Sequence, residues 1–161
     1  MSATLLLIRH GLAEDPRPGQ RDSDRALTPE GWERTRAAMR GLVARGHVPI
    51  RGVTSPYRRA VETMACLQGA AGCPFPVEAW EGLAPHGEPG AADLWLRSLM
   101  AGCEGETVAL VSHQPFLGNL VFHLTARSVE VKKASCTVIR LEDGLWRFER
   151  HFQPAELRSG A

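Results

Sequence analysis

Histidines and arginines recur in this chain just after short apolar stretches. Arg9 and His10 follow a run of aliphatic residues, Arg59 lies shortly after Ser55, and His113 follows a second aliphatic run. Guanidinium groups bind phosphate oxygens in a planar, bidentate geometry, and they repel metal cations. Imidazole offers an uncharged nitrogen near neutral pH. Two histidines clustered with two or three arginines therefore predict a phosphate pocket and not a metal centre.

The stretches that precede these side chains have the pattern of buried strands. Residues 4–8 and 107–111 are continuous aliphatic runs, typical of parallel strands covered on both faces, and a shorter strand is predicted at residues 52–54. Ligands bind beyond the carboxyl ends of the strands in open parallel sheets. A single histidine at a strand end is more often structural, but three such strand ends meeting at one edge indicate a site.

Helices and a hairpin are predicted over the rest of the chain. Thr28 and Pro29 have the pattern of an N-cap followed by proline at the first helical position, which predicts a helix over residues 29–45 that a glycine ends. The next helix is predicted at residues 57–67, closed by Gly69 and Gly72. The remaining predicted elements are helices at residues 91–100 and 115–124, a brief strand at 76–79, and strands at 136–141 and 145–152 joined by an Asp-Gly turn. This order predicts a three-layer α/β/α sandwich with a mainly parallel central sheet and an antiparallel C-terminal hairpin at its edge.

Length and composition restrict the class of protein. The 161 residues predict one domain spanning 1–161, and 43% hydrophobic with 23% charged residues is typical of a globular chain. The absence of a long apolar run argues against a membrane span or a signal peptide. A formal net charge of +1 argues against a broadly basic nucleic-acid binder, so any anion site must be local.

The cysteines indicate a reducing compartment. Cys66, Cys73, Cys103 and Cys136 form no Cys-X-X-Cys pair and have no histidine at zinc-finger spacing. They are therefore predicted to be buried thiols in a cytoplasmic protein that needs no cofactor or metal.

Three motifs in register resemble a known family. The stretches LIRHG at residues 7–11, SPYRRA at 55–60 and VSH at 111–113 look like the histidine phosphatase superfamily, also called phosphoglycerate mutase-like. The form is similar to the small bacterial phosphohistidine phosphatases, with further matches at residues 25–31 and 83–88. The resemblance covers residues 4 to about 125, most of the chain.

The resemblance implies a two-step hydrolysis. His10 would accept the phosphoryl group, and water would then attack the phosphohistidine intermediate. Arg59, not its neighbour Arg58, matches the family's arginine, which leaves Arg58 as a bystander at the rim. The residues implied to bind the phosphate or the substrate are Arg9, Arg59, His113, Gly11 and Arg25.

The substrate depends on the leaving group. Larger members of the superfamily use a carboxylic acid to protonate an alkoxide, and this sequence has no unambiguous match to that acid; Glu88 is the candidate. An imidazole leaves with little help, since its conjugate acid has a pKa near 6.5. A phosphohistidine in a protein, such as a histidine-containing phosphotransfer domain, is therefore the predicted substrate.

Two alternatives stay open. One is hydrolysis of a phosphoanhydride or a small phosphomonoester, the latter with Glu88 or Asp15 as the acid. The other is a non-catalytic module that binds phosphate or a phosphoprotein; the intact His10 argues against it, because binding alone needs no nucleophile. Neither nucleic acid nor a membrane is an expected partner.

Overall fold

A six-stranded sheet forms the centre of the computed structural model, which describes residues 2–159. The strands are β1 Ser2–Arg9, β2 Arg51–Thr54, β3 Val77–Ala79, β4 Thr107–Ser112, β5 Cys136–Glu142 and β6 Leu145–Phe152. Their spatial order is β3-β2-β4-β1-β5-β6, with the first four parallel and β5 and β6 antiparallel at one side. The predicted mainly parallel sheet with an antiparallel hairpin is confirmed.

Helices cover both faces of this sheet. They are α1 Pro29–Ala44, α2 Arg58–Ala71, α3 Pro89–Met100, α4 Phe116–Thr125 and α5 Pro154–Ser159. One hydrophobic cluster joins α1, α2 and α5 to the sheet, and a second joins α3 and α4 to the opposite face. The three-layer α/β/α arrangement is therefore confirmed.

The aliphatic run of β1 serves both layers at once. Leu5 and Leu7 pack into the cluster under α3 and α4, whereas Leu6 and Ile8 pack into the cluster under α1 and α2. All four are at most 2% exposed. Successive side chains of a strand point to opposite faces, so a strand buried on both faces needs an unbroken aliphatic sequence. The same alternation holds along β4.

The register of the central strands sets their carboxyl ends level. Arg9 of β1 is paired with Ser112 of β4, and Thr54 of β2 is paired with Val111. The residues that follow these strands therefore lie at the same edge of the sheet.

Two local predictions need correction. Helix α2 does not close at Gly69 but continues to Ala71, because the glycine that takes up a left-handed conformation is Gly72, with φ +69°. The short helix α5 was not predicted; its Leu157 is buried in the cluster under α1, a tertiary contact without a local signal.

The helices and the cysteines bear on the predicted class of protein. No helix within residues 2–159 is long and apolar enough to cross a bilayer. All four cysteines are free; Cys66, Cys103 and Cys136 are buried as predicted, whereas Cys73 is exposed, so the prediction for that residue was wrong.

Candidate active site

The two predicted histidines lie side by side beyond the ends of neighbouring strands. His10 follows β1 and His113 follows β4, and their ring centroids are 5.0 Å apart. The backbone N–H of His10 donates to the Ser112 carbonyl at 3.1 Å. His10 is 7% exposed and His113 is 1% exposed. The sheet therefore brings together two residues that are far apart in the chain and holds both out of water.

The protonation of His10 follows from its surroundings. Its Nδ1 lies 2.8 Å from the Gly11 carbonyl oxygen, which can only accept, so Nδ1 carries the proton and Nε2 keeps its lone pair. Burial lowers the pKa of His10 to about 3, against the opposing effect of that hydrogen bond, and the charges of Arg59 and Arg9 lower it further. His10 is therefore neutral at physiological pH, with Nε2 available as a nucleophile.

His113 is held by Ser55, a residue for which the sequence predicted no role. Its Nε2 lies 2.7 Å from Ser55 Oγ, and the Tyr57 backbone N–H donates to the same hydroxyl at 3.2 Å. The Tyr57 ring meets the His113 ring edge-on at 5.1 Å. Burial lowers the pKa of His113 to about 2, so this ring is neutral as well. The signal that could have identified Ser55 was its place directly after β2.

The two predicted clamp arginines are anchored through their outer nitrogens. Arg9 donates from Nη1 to the Val131 carbonyl at 3.0 Å, and burial lowers its pKa. Arg59, 4% exposed, donates from Nη1 to the Asp22 carbonyl at 2.8 Å and from Nη2 to the Asp22 carboxylate at 3.1 Å. Within residues 2–159, Arg9 Nε, Arg59 Nε and His113 Nδ1 are buried without a protein partner. An oxyanion with several acceptor oxygens suits such a set of nitrogens.

Gly11 is required because of a close contact and not because of its backbone conformation. It does not have a positive φ. A Cβ at this position would collide with Thr35 Oγ1, so the glycine allows a close approach of α1. The Gly11 N–H donates to Thr63 Oγ1 at 3.0 Å, and Thr63 in turn donates to the Arg59 carbonyl at 2.8 Å. Gly11 as a phosphate ligand stays a prediction, and its amide is engaged by α2.

Arg25 reaches the site through an aspartate that sequence reasoning missed. Its Nε donates to Asp22 Oδ1 at 2.8 Å and its Nη1 to the Glu14 carbonyl at 2.7 Å. Asp22 thus lies between Arg25 and Arg59. No local pattern marked it, because its partner Arg59 is 37 positions away in the chain. Arg58 points to the exposed side, where it pairs with Glu62 at 3.1 Å.

Glu88, the candidate general acid, is the N-cap residue of α3. Its carboxylate accepts the N–H groups of Gly90 at 3.0 Å and Ala91 at 2.7 Å, which caps the start of α3. These two bonds lower the pKa of Glu88. It lines an open groove with Gly118 and Phe122 of α4, a groove whose lining does not include either site histidine. Glu88 as the general acid stays a prediction, and an ionised cap is a poor proton donor.

The arrangement can bind and attack a phosphoryl group. His10 is neutral with a free lone pair, His113 lies beside it, and the charges of Arg9 and Arg59 act on it. Such a combination of groups is what covalent phosphoryl transfer needs. Among the described residues, no three histidine, cysteine, aspartate or glutamate side chains are grouped so that they could hold a metal ion.

Comparisons with known proteins agree with the geometry. A model of the histidine phosphatase superfamily (branch 1) matches residues 5–85. An uncharacterized protein of Picosynechococcus sp. is 36% identical over 152 residues, which is 91% of this chain and 89% of the relative.

Solved structures resemble the whole fold. The protein histidine phosphatase SixA complexed with tungstate is 26% identical, with a TM-score of 0.86 over 96% of this chain and 99% of that chain. A phosphoglycerate mutase from Bacillus anthracis is 16% identical, with a TM-score of 0.81 over 99% and 96% of the two chains. A phosphoserine phosphatase from Entamoeba histolytica, in complex with phosphoserine, is 18% identical, with a TM-score of 0.75 over 96% and 99%.

Proposed function

This chain belongs to the histidine phosphatase superfamily, and from that premise we propose that it hydrolyses phosphohistidine in a protein through a covalent intermediate on His10. The family resemblance of the three motifs is confirmed, and the chain is an enzyme of the phosphatase type. The observation that supports the proposed nucleophile is the neutral His10 ring, whose Nδ1 proton is held by the Gly11 carbonyl.

The proposed first step is in-line displacement. His10 Nε2 attacks phosphorus, the bond to the leaving group breaks, and its electron pair goes to the leaving atom. Arg9, Arg59 and His113 bind the three phosphoryl oxygens, where charge is spread in the transition state. Water then attacks the phosphorus of phospho-His10, which releases phosphate and returns the neutral ring.

The choice of phosphohistidine rests on the state of Asp22, which contacts Arg59, and of Glu88, the candidate general acid. Burial acts to raise the pKa of Asp22, but the hydrogen bonds from Arg25 and Arg59 outweigh it and hold the pKa below its ordinary value. Glu88 is ionised by its capping bonds. Neither carboxyl group is ready to protonate an alkoxide, whereas an imidazole leaves without such help because its conjugate acid has a pKa of about 6.5.

The proposed substrate protein is a histidine-containing phosphotransfer domain in the cytoplasm. Asp22 and Lys133 are exposed beside the site, and the charge of Lys133 acts on His10. This exposure supports access by a side chain that another protein presents. Four free cysteines support a reducing compartment.

A hydrolysis panel tests the proposal. We expect phosphorylated phosphotransfer domain and phosphoramidate to be hydrolysed with a higher kcat/KM than phosphoanhydrides or sugar phosphates. With 32P-labelled substrate, the wild type should form an acid-labile phosphoenzyme and His10→Asn should form none. A preference for sugar phosphates would overturn the substrate, and an His10→Asn variant as active as the wild type would overturn the mechanism.

A further inference from the structure

A carboxylate stands where a phosphatase binds an anion. Asp22 contacts Arg59 through both its carbonyl and its side chain, and its charge also acts on His113. Repulsion between Asp22 and a bound phosphoryl group would weaken substrate binding unless the carboxylate is compensated. Arg25 supplies that compensation, since its Nε lies 2.8 Å from Asp22 Oδ1. Asp22 therefore stays ionised beside the proposed phosphate site, and Arg25 offsets its charge. We ask what this carboxylate contributes to the reaction.

Asp22 lies where the site meets solvent. Its side chain is 52% exposed, whereas Arg59 and the two site histidines are nearly covered. A leaving group that belongs to another protein must enter and depart on the solvent side of the site, and Asp22 is a charged side chain exposed there next to Arg59.

We propose that Asp22 is a specificity-determining residue that accepts a hydrogen bond from the free ring N–H of the phosphohistidine being cleaved. This inference rests on the proposed function. Asp22 Oδ1 faces two nitrogens of Arg25, Nε and Nη2, each at 2.8 Å. Asp22 Oδ2 accepts one N–H, from Arg59 Nη2, and keeps room for a further donor, because an ionised carboxylate offers about four lone-pair sites.

An acceptor at this position favours the form of the substrate that leaves most readily. In its protonated, positively charged form the substrate ring carries the phosphoryl group on one nitrogen and a proton on the other. When His10 Nε2 bonds to phosphorus and the substrate P–N bond breaks, the electron pair stays on the substrate nitrogen, which leaves as neutral imidazole and keeps its N–H. Without that proton the leaving group would be an imidazolate anion. A carboxylate that favours the protonated ring therefore favours departure, whereas an alkoxide would need a proton donor instead.

The nucleophile and the leaving group, both imidazoles, would then each donate an N–H to an oxygen acceptor of the protein. His10 donates its Nδ1 proton to the Gly11 carbonyl, and the departing imidazole donates its corresponding proton to Asp22. A sugar phosphate or aryl phosphate has no N–H to offer and meets only the repulsion of the carboxylate. Asp22 would thus select phosphoramidates of imidazole over phosphate esters.

The test compares two small substrates in matched variants. Phosphoimidazole has the ring N–H, and p-nitrophenyl phosphate has a good leaving group without one. We expect Asp22→Ala to lower kcat/KM for phosphoimidazole by about tenfold or more, because hydrogen bonds to charged groups are the stronger class. For p-nitrophenyl phosphate we expect a smaller loss of kcat/KM, because Asp22 holds Arg59 for both substrates but accepts no hydrogen bond from this leaving group. Asp22→Asn keeps the shape of the side chain and loses its charge, so it should also lower kcat/KM for phosphoimidazole more than for p-nitrophenyl phosphate.

Asp24 is the matched control. It lies on the same turn, its side chain is 51% exposed, and it pairs with Arg21. Asp24→Ala should therefore leave kcat/KM unchanged for both substrates. An equal loss on both substrates in Asp22→Ala would show that Asp22 only positions Arg59, and no loss on phosphoimidazole would likewise overturn the inference. Failure of the wild type to prefer phosphoimidazole over the ester would instead overturn the proposed function itself.

Discussion

Acidification is expected to destabilise this protein through the two histidines of its site. The folded pKa of His10 is about 3 and that of His113 is about 2, whereas an unfolded histidine has a pKa of about 6.5. Between these values the unfolded chain binds the proton and the folded chain does not. The free energy of unfolding must therefore fall as the pH drops below about 6.5, and for His10 the fall ends near pH 3.

The size of the effect follows from the same pKa values. At pH 5 both rings stay neutral in the folded protein, while the unfolded rings are protonated about 1.5 pH units below their pKa. Each ring then lowers the free energy of unfolding by about 2 kcal/mol relative to pH 8, or about 4 kcal/mol for the pair. That is a large share of the 5–15 kcal/mol that is typical of a domain.

Urea unfolding at pH 8 and pH 5, followed by tryptophan fluorescence, measures this loss. His10→Asn keeps a donor for the Gly11 carbonyl, and His113→Gln keeps a hydrogen-bonding amide for the Ser55 hydroxyl. On acidification the free energy of unfolding of each variant should therefore fall by about 2 kcal/mol less than that of the wild type. The partly buried His47 and His151, whose pKa values burial also lowers, contribute equally to every protein compared. The exposed His86 provides the control, and His86→Asn should follow the wild type.

The same pH dependence in wild type, His10→Asn and His113→Gln would refute this reasoning. It would mean that the two rings are as easily protonated in the folded protein as in the unfolded chain. His10 would then not be a permanently neutral nucleophile.

Variants at three further positions test individual contacts. Ser55→Ala should lower kcat/KM roughly tenfold, because His113 loses the hydroxyl that orients it, and should lower the free energy of unfolding by about 1–3 kcal/mol, because His113 Nε2 and the Tyr57 N–H lose their partner; Ser55→Thr should restore activity. Thr63→Val should lower the free energy of unfolding by about 1–3 kcal/mol in urea titrations, since the buried Gly11 N–H loses its acceptor. Glu88→Ala should lower the melting temperature through the lost cap of α3 and leave hydrolysis of the phosphorylated protein unchanged; a collapse of activity would instead identify Glu88 as the acid.

Much of the fold could be predicted because its signals are local. The unbroken aliphatic runs of β1 and β4 reflect burial on both faces, and Thr28 with Pro29 marks the start of α1 at the residue where the structure has it. Helix α5 has no such signal, since six residues become helical only when Leu157 docks against α1. The end of α2 was placed too early because the sequence does not show which glycine takes up a positive φ.

The positions of His10, Arg9, Arg59 and His113 were determined by the sequence alone. Each follows a strand or opens a helix whose pattern is local, and the carboxyl ends of parallel strands meet at one edge. Their chemical state was decided only by the tertiary structure. Neutral imidazoles depend on burial by the whole fold, and burial is a property of three layers of chain and not of any one segment.

The partners of these residues were likewise decided only by the tertiary structure. Asp22 meets Arg59 across 37 positions, Ser55 meets His113 across 58, and the Val131 carbonyl meets Arg9 across 122. Hydrogen bonds act over a few ångströms of space and carry no trace in the spacing of the residues along the chain. The residues that could do chemistry are thus visible in the sequence. Their hydrogen-bond partners and the burial that sets their charge exist only once the strands are aligned.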